Sequence, residues 1–230
     1  MAEVNHKVVS REEWNSLRAE LLEKEKALTK ASDALASERR ALPWVKIDKT
    51  YNFQTLSGDK SLADLFDGKS QLLVYHFMFA PGWKGGCPSC SFWADNYNGF
   101  RYHLPQRDVS FKVISRASLA EIEKYRERMG WEFDWVSSAE TDFNFDFGLS
   151  INKEPEKRFP DEPHREGIER PGLSVFYRVG EDVYHAYYTT ARGLEAVNAV
   201  YGALDLVPKG RDESSVTPYP MAWVKRHDEY

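Results

Sequence analysis

The clearest pattern in the chain is a short apolar run, followed by a glycine-rich loop and two closely spaced cysteines. Residues 72–79 are apolar or aromatic except for one histidine, which is typical of a strand covered on both faces. Pro81-Gly82 ends this strand, since proline cannot donate to a sheet ladder. No helix breaker follows Pro88 until Asn98-Gly99, and proline fits the first turn of a helix. The pattern therefore predicts a strand, a loop and a helix beginning near Cys87.

A long helix is predicted before this stretch. Ser10 and Glu13 form a capping-box pattern, and apolar positions then recur at three- and four-residue steps to about Arg40. The apolar positions are Trp14, Leu17, Leu21, Leu28, Ala31 and Leu35. Pro43 ends the pattern. Two interpretations remain open: an amphipathic helix packed on its own domain, or an arm that forms a homodimer through a seven-residue repeat.

The remaining pattern alternates between strands and helices. Strands are predicted near 45–53 and 109–114, a short helix at 61–66, a helix from Ser118 to Gly130, a strand or edge at 143–147, a hairpin of 173–177 with 183–188, and a last helix at 194–204. The charged, proline-containing segment 153–170 is interpreted as a surface loop. The chain is thus expected to contain a helical arm (1–43), an α/β domain with a central mixed sheet flanked by helices (44–206), and a C-terminal tail packed on that domain (207–230).

Composition narrows the function classes. A net charge of −5 and a pI near 5.8 do not support nucleic-acid binding. No apolar segment approaches the ~20 residues of a membrane span. The polar, acidic N-terminus has no signal-peptide core, so a cytoplasmic location is expected. In a reducing cytosol, two neighbouring cysteines are more often catalytic or metal-binding than structural.

The spacing of Cys87 and Cys90 indicates redox chemistry. A thiolate at a helix N-terminus is stabilised by unpaired N–H groups and the helix dipole, so the pKa of Cys87 should be lowered. Cys90 lies one turn later, within disulfide reach, as dithiol–disulfide exchange requires. A structural zinc site needs four ligands, whereas the chain has only these two cysteines and no paired histidine spacing. An inert thiol pair and a metal ligand pair remain the alternatives.

The order of the predicted elements resembles the thioredoxin fold, and residues 51–66 look like the hairpin and short helix of peroxiredoxin relatives. Six further segments carry a resemblance that covers nearly the whole chain: 22–29, 38–44, 79–83, 87–91, 172–176 and 227–230. Through them the chain resembles the family catalogued as DUF899, described as predicted dithiol–disulfide oxidoreductases. The resemblance implies a thioredoxin-like fold and thiol–disulfide exchange without a cofactor.

The thioredoxin pattern implies roles for individual residues. Cys87 would be the nucleophile and Cys90 the resolving thiol. Pro171, which precedes the apolar run from Leu173, matches the cis-proline that faces the cysteines and binds substrate; an ordinary turn proline is the alternative.

Three further residues near the cysteines are candidates for supporting roles. His76 is a candidate proton acceptor for Cys90, although a hydrogen-bonded core histidine fits the position as well. Trp83 is expected to shape a substrate surface, and Lys84 either supports the thiolate or is simply solvated. Peroxiredoxins carry threonine or serine three residues before the peroxidatic cysteine. Lys84 occupies that position, which argues against peroxidase chemistry.

The sequence therefore predicts a thioredoxin-like dithiol–disulfide oxidoreductase. Its partners would be a protein or small-molecule disulfide or thiol and a reductant that the sequence does not identify. The alternative is a non-catalytic protein of the same fold that uses the cysteine loop to hold a ligand or a metal.

Overall fold

The computed structural model describes residues 6–151 and 168–230, so most of the predicted surface loop at 153–170 lies outside the described residues. The chain divides into two compact units, residues 1–43 and residues 44–230. The second unit includes the C-terminal residues 207–230.

The first unit contains one long helix, α1 (Arg11–Ala41). Ser10 caps it, since its hydroxyl accepts a hydrogen bond from the Glu13 backbone N–H at 3.1 Å. Acidic side chains lie in the first turn and basic side chains in the last, as the helix dipole favours. The helix itself is thus where its sequence pattern predicts it. The packing of its apolar face, on this domain or in a homodimer, stays a prediction.

The second unit is built on a mixed sheet of eight strands. They are β1 (Val45–Lys46), β2 (Asn52–Thr55), β3 (Gly58–Ser61), β4 (Gln71–His76), β5 (Val109–Ser115), β6 (Trp135–Ser137), β7 (Gly172–Val179) and β8 (Asp182–Thr189). Their order across the sheet is β1-β8-β7-β4-β5-β6-β2-β3. Strand β4 runs parallel to β5 and antiparallel to β7, and β7 forms a hairpin with β8. The apolar run that precedes the cysteines is therefore the strand between β5 and β7.

Within residues 44–151 and 168–230, five short helices accompany this sheet. They are α2 (Pro88–Ala94), α3 (Phe100–His103), α4 (Leu119–Arg128), α5 (Phe143–Asp146) and α6 (Ala199–Leu204). Additional 3-10 turns cover 64–66, 104–107, 191–197, 220–223 and 227–229. The predicted capping of α4 by Ser118 is confirmed, because Ser118 and Glu121 form both hydrogen bonds of a capping box. None of the helices in the described ranges is long and apolar enough to cross a membrane.

Two predicted elements differ from the structure. The alternating phenylalanines at 143–147 form helix α5 rather than a strand. Phe143 and Phe147 are four residues apart and pack on one core with ring centroids 4.6 Å apart, whereas Phe145 lies against Arg116. The predicted helix at 194–204 is interrupted at Asn198, whose side chain caps α6 by accepting from the Tyr201 N–H.

Alternation along β4 separates the two faces of the sheet. Tyr75 belongs to the core cluster that contains Cys90 and α2, whereas Leu72 and Val74 belong to a second cluster with α5. Side chains of successive strand residues point to opposite faces. This parity decides which residues of β4 can reach the cysteines.

Candidate active site

The loop after β4 places Cys87 at the N-terminus of α2. Cys87 is the N-cap residue and Pro88 occupies the first turn, so the predicted start of the helix is confirmed. The Cys87 backbone N–H donates to the Met78 carbonyl at 3.1 Å, and the Ser91 N–H donates to the Cys87 carbonyl at 2.9 Å. These bonds hold the cysteine between the end of the β4 segment and the first turn of the helix.

The two thiols have different environments. Cys87 is partly exposed and Cys90 is buried. The pKa of Cys87 falls to about 6, chiefly because the Cys90 thiol hydrogen-bonds to its sulfur; burial opposes this, and the backbone N–H groups of Cys90 and Ser89 add to it. The pKa of Cys90 is raised, first by burial and then by the neighbouring Cys87. At neutral pH the arrangement holds a thiolate at Cys87 and a thiol at Cys90.

The buried thiol is held by the end of the central strand. The Met78 N–H donates to the Cys90 sulfur at 3.5 Å, and the Tyr75 hydroxyl donates to the Cys90 carbonyl at 3.4 Å. Tyr75 is itself fully buried and packs edge-on against Phe77 and Tyr97. Cys90 is therefore fixed in position behind Cys87.

An arginine from the C-terminal tail binds the cysteine loop. Arg226 donates to the Gly86 carbonyl at 3.1 and 2.7 Å and to the Tyr125 hydroxyl at 2.8 Å. The Tyr125 hydroxyl lies 2.9 Å from the Ser91 hydroxyl, which donates to the Cys87 carbonyl at 3.0 Å. A chain of hydrogen bonds thus joins the tail to both sides of Cys87. Sequence reasoning missed Arg226 because the tail has no periodicity or motif that singles it out.

Replacing Arg226 with Met should destabilise the domain. The variant keeps most of the side-chain length but leaves the Gly86 carbonyl and the Tyr125 hydroxyl without their charged donor. Hydrogen bonds to charged groups contribute about 1.5–3 kcal/mol, and we expect a loss of that size in the free energy of unfolding, measured in urea. The control is Arg192→Met, because Arg192 is 86% exposed in its ion pair with Glu195. Equal effects of the two substitutions would contradict the role of Arg226.

The structure corrects the role suggested for His76. Its Nε2 lies 2.7 Å from the Ser174 hydroxyl, and its ring packs near Phe143, in the cluster on the opposite face of the sheet from Cys90. His76 follows Tyr75 directly in β4, so strand alternation turns it away from the cysteines. It is a hydrogen-bonded core residue and not a proton acceptor for Cys90.

The proposed cis bond at Pro171 is also wrong. Within residues 6–151 and 168–230, the one cis peptide bond joins Thr217 and Pro218, so the bond before Pro171 is trans. Pro171 nevertheless lines the same cavity as Cys90. The Pro171 carbonyl accepts a hydrogen bond from the Thr190 hydroxyl at 2.6 Å. A role of Pro171 in substrate binding stays a prediction, without the cis geometry.

Trp83 and Lys84 lie on the loop before the cysteines. Trp83 is 39% exposed, and Lys84 is exposed. The leading causes of the lowered Cys87 pKa are groups of Cys90 and Ser89, and Lys84 is not among them. Support of the thiolate by Lys84 and a substrate surface at Trp83 stay predictions.

A cavity of about 770 Å³ opens beside the cysteine helix. Its lining includes Ser89 and Cys90 of the cysteine motif, and much of the rest comes from the segment after β8. Its volume is within the range of small-molecule sites. The sequence did not indicate this cavity, since its walls come from two distant stretches of the chain, residues 75–93 and residues 171–221. In the part of the chain that the structure describes, no three His, Cys, Asp or Glu side chains form a metal-type cluster.

The strand order β5-β4-β7-β8, with a CxxC motif at the start of the helix that follows β4, defines a thioredoxin-like protein. The chain belongs to the family described as "Bacterial protein of unknown function (DUF899)", whose model matches residues 3–230. The resemblance stated from the sequence is thereby confirmed at the level of family and fold. A comparison with curated proteins found no match.

Several solved structures are similar to part of this chain, and three of them are described by their names. A cysteine mutant of PrxQ from Xylella fastidiosa is 16% identical, with a TM-score of 0.43, over 66% of this chain and 88% of that chain. Peroxidoxin BcpB from Mycobacterium tuberculosis is 14% identical, with a TM-score of 0.44, over 69% and 97%. A proposed thiol:disulfide interchange protein DsbE from Chlorobium tepidum is 12% identical, with a TM-score of 0.44, over 70% and 97%.

Proposed function

We propose that the protein is a dithiol–disulfide oxidoreductase that acts through Cys87 and Cys90. The observation that carries this proposal is the placement of the two thiols: Cys87 is partly exposed at the N-terminus of α2, and Cys90 is buried one turn later. This placement lowers the pKa of Cys87 and raises the pKa of Cys90, a difference between the two thiols that suits exchange. Two inert structural thiols do not require such a difference. Exchange requires it, because one sulfur must attack as a thiolate while the other waits as a thiol.

The reaction begins at the partly exposed sulfur. The Cys87 thiolate attacks one sulfur of a substrate disulfide, the substrate S–S bond breaks, and the first substrate thiolate leaves. Cys87 is then joined to the remaining half of the substrate in a mixed disulfide. Negative charge leaves the helix N-terminus in this step, and the N–H groups of Ser89 and Cys90 lose their anionic partner.

Cys90 completes the exchange. Its sulfur attacks Cys87, the mixed disulfide breaks, and the second half of the substrate leaves as a thiol that carries the Cys90 proton. The substrate has gained two electrons, and the protein holds a Cys87–Cys90 disulfide. A dithiol reductant must reverse the same steps to restore the protein. Two thiols three residues apart at a helix start need no cofactor for this chemistry.

A redox titration tests the proposal. Reduced protein is equilibrated with increasing ratios of oxidised to reduced dithiothreitol, quenched with acid, alkylated and weighed by mass spectrometry. We expect a single reversible transition between a doubly alkylated form and a form that has lost two hydrogens. The Cys90→Ser variant, which retains Cys87, should show no intramolecular transition.

Two outcomes would contradict exchange. One is the absence of an internal disulfide at every ratio. The other is a titration of Cys87 near the ordinary thiol pKa of ~8.5. Either result would favour the alternative, in which the cysteine loop of a thioredoxin-like fold binds a ligand or metal without catalysis.

A further inference from the structure

The cavity beside Cys90 combines apolar walls with unbalanced charge. Its walls include aromatic and aliphatic side chains from two distant stretches of the chain, namely Tyr75, Met78, Trp93, Leu194, Tyr201 and Met221. The charged groups in its lining are three carboxylates and two guanidinium groups. One net negative charge therefore faces a largely apolar space, where charge–charge interactions are stronger than in water.

Two of the carboxylates already have cationic partners. Arg211 binds Asp205 through two hydrogen bonds, at 2.8 and 2.7 Å, and binds Glu195 at 2.9 Å. Arg192 pairs with Glu195 as well, at 3.0 Å. Arg192 and Arg211 therefore already neutralise the charges of Asp205 and Glu195.

The third carboxylate, Glu213, is held by neutral donors only. The Tyr201 hydroxyl and the Trp223 indole N–H both donate to its Oε1, at 2.8 and 2.6 Å. Burial, followed by the hydrogen bond to Glu213, raises the pKa of Tyr201, so this donor remains neutral. Its second oxygen, Oε2, accepts no hydrogen bond and Glu213 forms no salt bridge within residues 6–151 and 168–230.

Ser89 connects the cavity to the reactive sulfur. It lines the cavity, and both its backbone N–H and its side chain interact with the Cys87 thiolate. A molecule whose sulfur reacts at Cys87 can therefore place its remainder past Ser89 and along Cys90. The cavity volume of about 770 Å³ limits this remainder to a small molecule and excludes a folded protein.

We propose that the cavity binds small disulfide substrates with an apolar body and a protonated amine, and that Glu213 pairs with the amine. This inference rests on the proposed exchange function. A charged amine matches the only lining carboxylate that has no cation among the described residues, and the apolar walls match an aliphatic or aromatic body. Glu213 is a specificity-determining residue in this assignment, not a nucleophile or a base.

The exchange experiment compares two disulfides of similar size and different charge. Reduced protein reacts with cystamine, which carries two ammonium groups, or with bis(2-hydroxyethyl) disulfide, which is neutral, and the rate of loss of Cys87 thiolate is measured. We expect Glu213→Gln to lower the cystamine rate about tenfold, the effect of one hydrogen bond to a charged group, and to change the rate with the neutral disulfide less than about twofold.

The matched control is Glu195→Gln. It removes the same charge from the same lining, but at a carboxylate that already has two arginine partners. Its effect on the ratio of the two rates should stay below about twofold. Equal losses of cystamine preference in the two variants would overturn the pairing with Glu213, as would a wild-type rate ratio that Glu213→Gln leaves unchanged.

A binding experiment tests the preference of the cavity for an amine without any exchange reaction. Calorimetry of the Cys87→Ser protein with 2-phenylethylamine and with neutral 2-phenylethanol should show tighter binding of the amine, and Glu213→Gln should remove that preference. If wild-type protein exchanges with neither disulfide, the proposed function fails, and this measurement alone decides the cavity assignment. Equal binding of the two compounds, or no binding of either, would overturn the assignment.

Discussion

Replacing Cys87 with Ser is expected to abolish alkylation by iodoacetamide at pH 6 to 7, whereas Cys90→Ser should keep one fast-reacting thiol. With a pKa of about 6, roughly nine tenths of Cys87 is thiolate at pH 7, against about 3% for an ordinary thiol of pKa ~8.5. Cys90 is buried and its pKa is raised, so its thiolate fraction is smaller still. We expect the rate to fall at least about thirtyfold when Cys87 is removed.

The pH profile of wild-type alkylation follows from the same pKa. The thiolate fraction, and with it the rate, should be nearly constant above pH 7, should reach half its maximum at about pH 6, and should fall about tenfold per pH unit below about pH 5. The largest cause of the low value is the hydrogen bond from Cys90. Cys90→Ala removes that donor and Cys90→Ser retains a hydroxyl, so the midpoint should move upward in the alanine variant and less in the serine variant.

Cys90→Ser also separates the two steps of exchange. Without the second sulfur, the mixed disulfide at Cys87 cannot be resolved, so adducts with a disulfide substrate should accumulate and be visible by mass spectrometry. Faster alkylation of Cys90 than of Cys87 in the reduced wild type would reverse the assigned roles. A midpoint near the ordinary thiol pKa would remove the electrostatic basis for either role.

Gly86→Ala should have the second large effect, on both stability and reactivity. A Cβ atom at this position would lie 2.4 Å from Cε1 of Phe77 and 2.9 Å from Cε1 of Tyr125. Phe77 is fully buried and Tyr125 nearly so, so neither ring can move aside freely. Overpacking of this kind typically costs about 1–3 kcal/mol, and we expect the upper end of that range in urea unfolding. A shift of the loop would also displace Cys87 from the Met78 carbonyl and slow alkylation.

Gly85→Ala is the neighbouring control. Its added Cβ would meet Tyr125 at 3.3 Å and the Arg226 guanidinium at 3.4 Å, contacts that a small side-chain movement relieves. The loss of stability should be under about 1 kcal/mol, and part of it is offset by the lower chain entropy of alanine in the unfolded state. If Gly86→Ala is as stable and as reactive as Gly85→Ala, close packing does not position the cysteine loop.

Local patterns in the sequence determined several elements of the site. The apolar run predicted β4, Pro88 predicted the first turn of α2, and Ser118 predicted the start of α4. Each rests on interactions within a few residues, so it can be inferred without the rest of the fold. The direction of the Cys87 pKa shift was also predicted, although its largest cause is the hydrogen bond from the Cys90 thiol and the N–H groups of the helix N-terminus only add to it.

The tertiary structure alone decided what surrounds these local elements. The alternation of β4 separates Tyr75 from His76, but only packing shows that the cysteine helix covers the Tyr75 face. Likewise, Arg226 reaches Gly86 across 140 residues of chain, and Glu213 reaches the cavity beside Cys90 from a segment without a motif. Contacts between distant segments leave no periodicity in one sequence, because their spacing is set by how the chain folds back and not by helix or strand geometry.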